Sequence, residues 1–302
     1  MSKWVSYRNG NYVVMFNAEN GTKIRHTKYD EFVPEFAECI DVSCTEKCDG
    51  GCSYCYINAT PNGKHGNLIN AKWVDTLHSY TEVALNINDM SHPDLLPFLE
   101  KLKSKKVFAN VTINQKHFMQ HLTELKRLSD EKLVYGIGVS LVDPTDEFIE
   151  AVKSIPNIVI HTINGVLTCK QIEALADKDL KLLILGYKHL ERGVDYHRNN
   201  QDKIEDNQRY LYENIDKYFN RFKVISFDGL SITQLDVKRF LSDDEYEEIF
   251  AGAEGEFTFY LDTVSETFGI NSLTTKDQRY PILDSVDEMF QMIRGKSDDS
   301  KM

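Results

Sequence analysis

The chain lacks the features that would direct it to a membrane, to secretion or to bulk nucleic acid. No run of apolar residues approaches eighteen in length, and no apolar signal segment stands at its start. Basic charge is not in excess, because the net charge at pH 7 is -12, which argues against binding nucleic acid through bulk electrostatics. We therefore expect a cytoplasmic globular protein whose 302 residues bury a full core.

Cysteine is scarce except in one place. The chain has six cysteines, and none follows Cys169. A disulfide scaffold would spread its cysteines through a short secreted chain. Here five of the six lie within seventeen residues: Cys39, Cys44, Cys48, Cys52 and Cys55. This distribution predicts a reduced metal site.

The centre of that cluster reads CDGGCSYC, with Cys48, Cys52 and Cys55 spaced three and then two residues apart. Three thiolates can bind three irons of an iron–sulfur cube and leave the fourth iron without a protein ligand. The alternative is a structural zinc site that Cys44 or Cys39 completes with a fourth thiolate. A second CxxC-like pair, which most zinc knuckles use, is absent from the sequence.

Apolar, β-branched runs alternate with amphipathic segments through the middle of the chain. The runs predict strands, most of them buried on both faces, at 40–44, 82–88, 106–114, 134–141, 157–164 and 181–187. The amphipathic segments predict helices at 93–104, 115–129, 144–154 and 168–177. Asp143 and Pro144 would start the third helix, and Thr168 with Gln171 forms a capping-box pattern before the fourth. The alternation predicts an α/β fold, a partial (β/α)6 TIM-type barrel with right-handed crossovers.

The two flanks do not follow this rhythm. Residues 1–37 contain Asn20-Gly21 between apolar stretches, which predicts an N-terminal β-hairpin outside the core at 38–190. Residues 191–294 predict an α+β C-terminal extension, and 295–302 a disordered polar tail. Within the extension we expect a polar loop from Glu191, then helix 203–219, strand 223–228, a helix from Ser242 and a hairpin across 257–270.

The cysteine triplet falls where such a fold carries its ligands. In a parallel barrel, the residues that bind ligands lie at the carboxyl ends of the strands and on the loops that follow. Cys48 comes four residues after the end of the first predicted strand. The triplet is therefore predicted to lie on the active-site face.

CDGGCSYC resembles the CxxxCxxC motif of the radical S-adenosylmethionine (SAM) superfamily, and its place after the first strand is also that of the family. The resemblance covers roughly residues 38–190. It implies that Cys48, Cys52 and Cys55 bind one [4Fe–4S] cluster and that SAM chelates the fourth iron. It also implies reductive cleavage of SAM to a 5′-deoxyadenosyl radical that abstracts a hydrogen atom from a substrate. An external one-electron reductant of the flavodoxin or ferredoxin type would supply the electron.

A second stretch extends the resemblance with one departure. NINDMSHPDLLPFLEKLK is similar to the family's GGEPLLHPDLxxLLxxLK, with HPDL matching at 92–95. The family's Gly-Gly-Glu then falls on Asn86, Ile87 and Asn88, so an amide stands where a glutamate normally accepts a hydrogen bond from the SAM amino group. The Asn88 carbonyl would replace it, or Asp89 would if the strand end bulges by one residue.

Other cofactor contacts follow from the resemblance. TINQ is similar to the family's TTNG, which implies that Asn114 lies near the methionine moiety of SAM. Ser140 ends the fourth strand, where the family reaches the SAM carboxylate or ribose. Tyr54 and Gly186 correspond to positions near the adenine. For Asn88, Asn114 and Ser140, the alternative is a polar strand end that satisfies loop backbone groups.

Cys169 and two histidines complete the candidates. Cys169 lies in the first turn of the helix after the fifth strand, on the predicted active-site face, where a thiol could return a hydrogen atom to a substrate radical. The alternative is a cysteine packed under a loop. For His65 and His92 we expect ordinary solvent-facing or capping side chains.

The C-terminal extension resembles a SPASM/twitch-like region without its cysteines, which implies a single cluster. The acidic composition favours a peptide or small-metabolite substrate. Two other functions remain open. One is a degenerate radical SAM-like scaffold that keeps its metal without cleaving SAM, and the other is a nucleotide-modifying radical SAM enzyme.

Overall fold

The computed structural model describes residues 4–249 and 254–299. The strands are β1 Trp4–Asn9, β2 Tyr12–Asn17, β3 Lys23–His26, β4 Cys39–Ser43, β5 Glu82–Asn88, β6 Phe108–Asn114, β7 Gly136–Ser140, β8 Ile158–Ile163, β9 Lys181–Leu185, β10 Val224–Phe227, β11 Thr258–Asp262, β12 Thr267–Gly269 and β13 Tyr280–Pro281. The α-helices are α1 Leu95–Ser104, α2 Gln115–Gln120, α3 Leu122–Asp130, α4 Asp146–Lys153, α5 Cys169–Leu175, α6 Arg192–Asn199, α7 Gln201–Asn214, α8 Gly229–Gln234, α9 Asp243–Ile249 and α10 Val286–Asp299. Short 3-10 helices span Lys72–Thr76, Ile215–Tyr218, Val237–Phe240 and Lys276–Gln278.

One large sheet organises the α/β fold. Its ten strands follow the order β10-β9-β8-β7-β6-β5-β4-β11-β12-β13. All pairs from β10 to β11 are parallel, and the last two pairs are antiparallel. The six strands expected between residues 40 and 187 are confirmed as β4 to β9, and the strand expected at 223–228 is confirmed as β10. Alternating strands and helices therefore build the predicted parallel sheet.

The two faces of this sheet differ, which corrects the expectation that most strands are buried on both faces. Ile40, Val42 and Leu85 are at most 1% exposed and pack into the main core with the helices. On the other face, which we call the inner face, Asp41 is exposed and Asn86 is half-buried. Side chains of successive residues in a strand point to opposite faces, so the polar residues of these strands all lie on the inner face.

The C-terminal hairpin is confirmed, but it belongs to the main sheet. β11 pairs in parallel with β4, with Thr258 opposite Cys39, while β12 pairs antiparallel with β11. The sheet therefore runs across the domain boundary that we expect at residue 190. A side-chain hydrogen bond also joins segments that follow distant strands of the sheet, since the Nζ of Lys188, just after β9, donates to the Oγ of Ser272, after β12, at 2.7 Å.

The N-terminal segment is a three-stranded sheet rather than a single hairpin. The hairpin around Asn20-Gly21 is confirmed as β2 and β3, and β1 adds a strand through a turn at Gly10. Gly10 has a φ of 56°, and a Cβ there would lie 1.9 Å from the carbonyl oxygen of Val33. Only glycine fits this turn.

Helix boundaries differ from the predictions at three places. Helix 115–129 is two helices, α2 and α3, which meet at His121. Thr145, not Asp143, caps α4, because its Oγ1 accepts from the backbone N–H of Phe148 at 3.2 Å. The predicted polar loop from Glu191 contains α6.

Other helix predictions agree with the structure. The capping box of Thr168 and Gln171 starts α5, and α9 starts one residue after Ser242. Helix 203–219 corresponds to α7 and the 3-10 helix after it. The last helix reaches Asp299, inside the segment expected as a disordered tail, whereas 300–302 lie outside the described residues. No helix within the described ranges is long and apolar enough to cross a bilayer.

A buried ion-pair network attaches the N-terminal sheet to the amino ends of β4 and β5. Glu38, 1% exposed in its side chain, accepts two hydrogen bonds from Arg25 at 2.8 and 3.0 Å and one from the Tyr12 hydroxyl at 2.6 Å. The Nζ of Lys23 lies 3.2 Å from Glu38 and 2.9 Å from Glu82. The N-terminal sheet therefore covers the end of the parallel strands opposite to their carboxyl ends.

Candidate active site

The cysteine loop, residues 44–66, follows β4 at its carboxyl end. Backbone hydrogen bonds fold the loop back on itself: Cys48 N donates to Thr60 O at 2.9 Å, and Gly66 N donates to Cys44 O at 2.9 Å. An isolated bridge between Thr45 and His65 closes its base. The loop therefore holds the cysteine triplet at the edge of the sheet where ligands of parallel α/β folds bind.

Each of the three sulfur atoms of the triplet accepts a hydrogen bond from an N–H group. The Sγ of Cys48 accepts from Gly50 N at 3.2 Å, and that of Cys55 accepts from Ala59 N at 3.4 Å. The Sγ of Cys52 accepts from the side-chain amide of Asn114 at 3.6 Å. Such donors stabilise negative charge on sulfur and tune a metal centre that the sulfur binds. All three cysteines are half-buried and free.

The three thiols also influence one another. Burial is the main cause that raises the pKa of Cys48 and of Cys52, and the charge of neighbouring thiolates adds to it. Arg192 acts in the other direction and lowers the pKa of Cys52. The negative charges of neighbouring thiolates therefore oppose one another, and a bound cation would compensate them.

The remaining cysteines are separate from the triplet. Cys44 is fully buried in the main core, and its thiol donates to the carbonyl of Val42 at 3.6 Å. Cys169 is the first residue of α5 and is exposed. Among the described residues, no hydrogen bond joins Cys169 to the cysteine loop. Cys39 lies at the start of β4, and burial raises its pKa far above the ordinary value.

Asn88 contacts the cysteine loop directly. The register between β5 and β6 shifts between Asn86 and Asn88, so the strand end bulges by one residue, and Asn88 takes a φ of 53°. Its side-chain amide donates to the carbonyls of Thr45 at 3.0 Å and Lys47 at 3.2 Å. Asn88 thus holds the start of the loop through its N–H groups, which a glutamate could not provide.

Replacement of Asn88 by aspartate should loosen the cysteine loop. The carboxylate keeps the shape and tolerates the positive φ, but it removes both donors and faces two carbonyl oxygens. We expect the free energy of unfolding to fall by about 1–3 kcal/mol, with faster proteolysis of the loop, measured by urea unfolding and limited digestion. Asn67→Asp is the matched control, because Asn67 is exposed and acts only as an acceptor, from Asn70 N. An unchanged Asn88→Asp variant would contradict this role.

The other predicted strand-end residues lie along the same edge. Asn114 caps α2, accepting from Lys116 N at 2.9 Å, and stands opposite Ser140 in the register of β6 and β7. Asp89 accepts from Ser91 N at 3.0 Å, and its charge adds to the effect of burial in raising the pKa of Cys48. Asn86 pairs in register with Ser43 and lies on the inner face, and its side chain forms no hydrogen bond to the described residues of the loop.

Tyr54 and Gly186 have structural neighbours of their own. Burial, and then the charge of Cys52, raises the pKa of Tyr54, whose ring meets Tyr196 edge-on at 5.5 Å between centroids. The backbone N–H of Gly186 donates to Asp228 at 2.8 Å, and a Cβ there would lie 2.3 Å from Leu230 Cγ. Close packing against α8 therefore explains this glycine.

Arg192, the first residue of α6, contacts the cysteine loop, and the sequence did not predict this contact. Its Nη2 donates to Ala59 O at 2.9 Å, and its Nε is buried without a hydrogen-bond partner among the described residues. Its charge reaches Cys52. The segment reads as a polar loop, and no motif marks a contact across 133 positions of sequence.

His92 also departs from expectation, because it is buried and not solvent-facing. Its Nε2 lies 3.0 Å from Gly66 O, and its Nδ1 accepts from Asp94 N at 3.1 Å. Its ring lies 4.8 Å from that of His65, which contacts the Thr45 hydroxyl at 2.9 Å. The Nδ1 contact is with Asp94, the N-cap residue, and not with an N–H of the first turn, so His92 does not cap α1; the two rings join the end of the cysteine loop to the start of that helix.

Among the described residues, no group of three or more Cys, His, Asp or Glu side chains is placed to hold a metal ion as it stands. A tetrahedral zinc site would bring four donors to within about 3.8 Å of one another, given Zn–S distances of about 2.3 Å. Cys44 is buried and its thiol is hydrogen-bonded to the Val42 carbonyl, so it does not provide a fourth zinc ligand.

Comparison with known proteins gives a result at the level of fold. No protein-family model and no curated protein matches the chain. Among solved structures, Streptococcus suis SuiB bound to S-adenosylmethionine has a TM-score of 0.64 at 10% identity, over 97% of this chain and 89% of that chain. SuiB bound to the precursor peptide SuiA gives 0.61 at 10% identity, over 95% and 87%. The chain therefore has the fold of SuiB.

Proposed function

We propose that the protein is a radical SAM enzyme that holds one [4Fe–4S] cluster and reductively cleaves SAM. The observation that carries this proposal is the cysteine triplet, whose three sulfurs each accept an N–H hydrogen bond on one loop at the carboxyl end of β4. The shared fold with SuiB, a protein solved with SAM bound, supports it. On this proposal the large sheet and its helices form a partial barrel around the reaction.

The residues of the loop fit the cluster better than zinc. A cube takes its three thiolates on three different irons, so its ligands lie further apart than those of a single zinc ion. The triplet offers three half-buried thiols with donors and no fourth thiolate, which suits a cluster with one open iron. Cys48, Cys52 and Cys55 would hold it.

A bound cluster held by Cys48, Cys52 and Cys55 would supply the electron for cleavage of SAM to methionine and a 5′-deoxyadenosyl radical. An external reductant of the flavodoxin or ferredoxin type would provide that electron. The chain's own residues position and shield the reactants. Asn114 would orient the Cys52 sulfur and face the methionine moiety, and Asp89 would accept from the SAM amino group. Arg192 would balance the thiolate charge. Ser140 and Tyr54 would bound the ribose and adenine, which keeps water from the site.

A peptide is the substrate class that the comparisons favour, because SuiB was also solved with a precursor peptide. Cys169 is then a candidate hydrogen donor on the same edge of the sheet. A second function, a metal-binding scaffold without SAM cleavage, rests on Asn88: its amide is committed to the loop, where the family's glutamate would contact SAM.

Cluster content and SAM binding test the proposal together. Anaerobic reconstitution with iron and sulfide should give about four irons per chain and, after reduction, an electron paramagnetic resonance signal that changes on addition of SAM. A signal indifferent to SAM would favour the scaffold. A native protein that carries zinc and no iron would contradict the cluster assignment.

A further inference from the structure

Asp41, on the inner face of the sheet, is a carboxylate without a partner among the described residues. Asp41 stands in the middle of β4, an internal strand whose flanking residues Ile40 and Val42 are buried in the core on the other face. The Asp41 side chain is exposed, and it forms no hydrogen bond or ion pair with the described residues. A water-facing carboxylate that pairs with none of the described side chains is available to a ligand, so a functional role needs to be considered.

The sheet leaves space beside this carboxylate. In the register of β4 to β7, Asp41 stands beside Ala84, then Asn110, then Gly136. Tyr260 of β11 lies on the other side. The side chains of Ala84 and Asn110 are small, and Gly136 has none, so they fill little of the inner face. A ligand on that face can therefore contact Asp41.

The charges around Asp41 are mostly negative. Surrounding protein atoms desolvate it and raise its pKa to about 6; Lys188 lowers this pKa, while Glu254 and Asp228 raise it. Three carboxylates thus share one ammonium group. The three neighbours of Asp41 already have partners: Lys188 donates to Ser272, Asp228 accepts from Gly186, and Glu254 accepts from Asn271.

Tyr56 links this carboxylate to the cysteine loop. Tyr56 follows Cys55 directly, and its ring meets the ammonium group of Lys188, whose charge acts on Asp41. The Nζ of Lys188 lies 4.0 Å from the centre of the Tyr56 ring. A group bound by Asp41 would therefore lie beside the aromatic ring that follows the third cysteine of the triplet.

We propose that Asp41 anchors a cationic group of the substrate, a primary ammonium or a guanidinium, on the inner face beside the cysteine loop. The inference rests on the proposed function and specifies its substrate. A cation there would give the Asp41 carboxylate a charge-assisted hydrogen bond. The cation comes from a lysine or arginine of a peptide or from a free amine, and the chemistry of recognition is the same.

Binding of matched probes to the reconstituted protein tests this. The probes are the peptide acetyl-Gly-Gly-Lys-Gly-Gly-amide, its norleucine counterpart, and n-butylamine with butan-1-ol as its neutral partner, with affinities measured anaerobically by saturation-transfer NMR. We expect the cationic member of at least one pair to bind roughly ten- to hundredfold more tightly, and Asp41→Asn to abolish the difference. Discrimination between the peptides identifies a peptide substrate, and discrimination between the small probes alone a free amine.

Glu100→Gln is the control, since Glu100 is exposed on α1 and the substitution changes the net charge equally. It should keep the preference for the cation. Equal binding within both pairs, or a preference that survives in Asp41→Asn, would overturn the inference. Asp41→Asn removes a desolvated charge, and thermal unfolding confirms that the variant is folded. SAM cleavage by the wild type, measured on the same sample, separates the two proposals: cleavage without cation preference refutes only the Asp41 inference.

Discussion

Replacement of Cys52 by alanine is expected to remove the cluster and to reduce 5′-deoxyadenosine formation from SAM by at least about a hundredfold. The reason is geometric: Cys52 is the central member of the triplet, and the other two sulfurs cannot take over its iron. Loss of a mere outer-sphere partner of a metal ligand costs up to about a hundredfold, so loss of a ligand should cost no less. Iron content and 5′-deoxyadenosine are measured on the same anaerobic preparation.

Cys44→Ala is the matched control for this prediction. Cys44 lies four residues before the triplet but is fully buried in the main core. Its loss should lower stability slightly and leave the iron content unchanged. If Cys44→Ala lost its metal as completely as Cys52→Ala, a site of four thiolates would be supported instead, and with it the zinc alternative.

Replacement of Glu38 by alanine is expected to lower the free energy of unfolding by about 3–5 kcal/mol. The carboxylate is the common partner of Arg25, Lys23 and Tyr12, so its removal leaves two cations beside the amino ends of β4 and β5 with only Glu82. Urea unfolding provides the measurement. The control is Glu131→Ala, which breaks an exposed pair with Arg127 and should cost less than about 1 kcal/mol.

The same carboxylate gives a signed pH dependence. Burial alone would raise the pKa of Glu38, but the hydrogen bonds from Arg25 and the charge of Lys23 outweigh it and lower that pKa below the ordinary 4.5. Its contribution to stability is therefore complete above pH 4.5 and is lost as the pH falls through the lowered value. The difference between wild type and Glu38→Gln should shrink in acid. A constant difference from pH 7 to pH 3 would contradict this.

Local signals in the sequence predicted most of the fold. Continuous β-branched runs located β4 to β9, and the Thr168–Gln171 capping box located α5, because these signals depend on neighbours in the chain. The pairing of β11 with β4 joins Thr258 to Cys39 across more than two hundred residues, and no local pattern encodes it. For the same reason, the contact of Arg192 with the cysteine loop was missed.

In the candidate site, too, the sequence predicted the local features but not those that depend on distant parts of the chain. The spacing of the cysteines in CDGGCSYC was enough to identify the three candidate thiols. The role of Asn88 depends on a bulge and a positive φ that turn its amide toward the loop. The sequence showed that asparagine stands where the resembling family has glutamate, but not that its N–H groups donate to the loop. The sequence predicted that Asp41 lies in a strand. It did not predict the exposure of Asp41 on the inner face, because that depends on how the sheet packs.

Release of 5′-deoxyadenosine from SAM is the measurement that tests the central claim most directly. Wild-type protein, reconstituted anaerobically and reduced with dithionite, should release it above the level of the Cys52→Ala variant. A preparation with a full complement of iron that releases none, with and without lysine-containing peptides, would contradict the enzyme and leave the metal-binding scaffold.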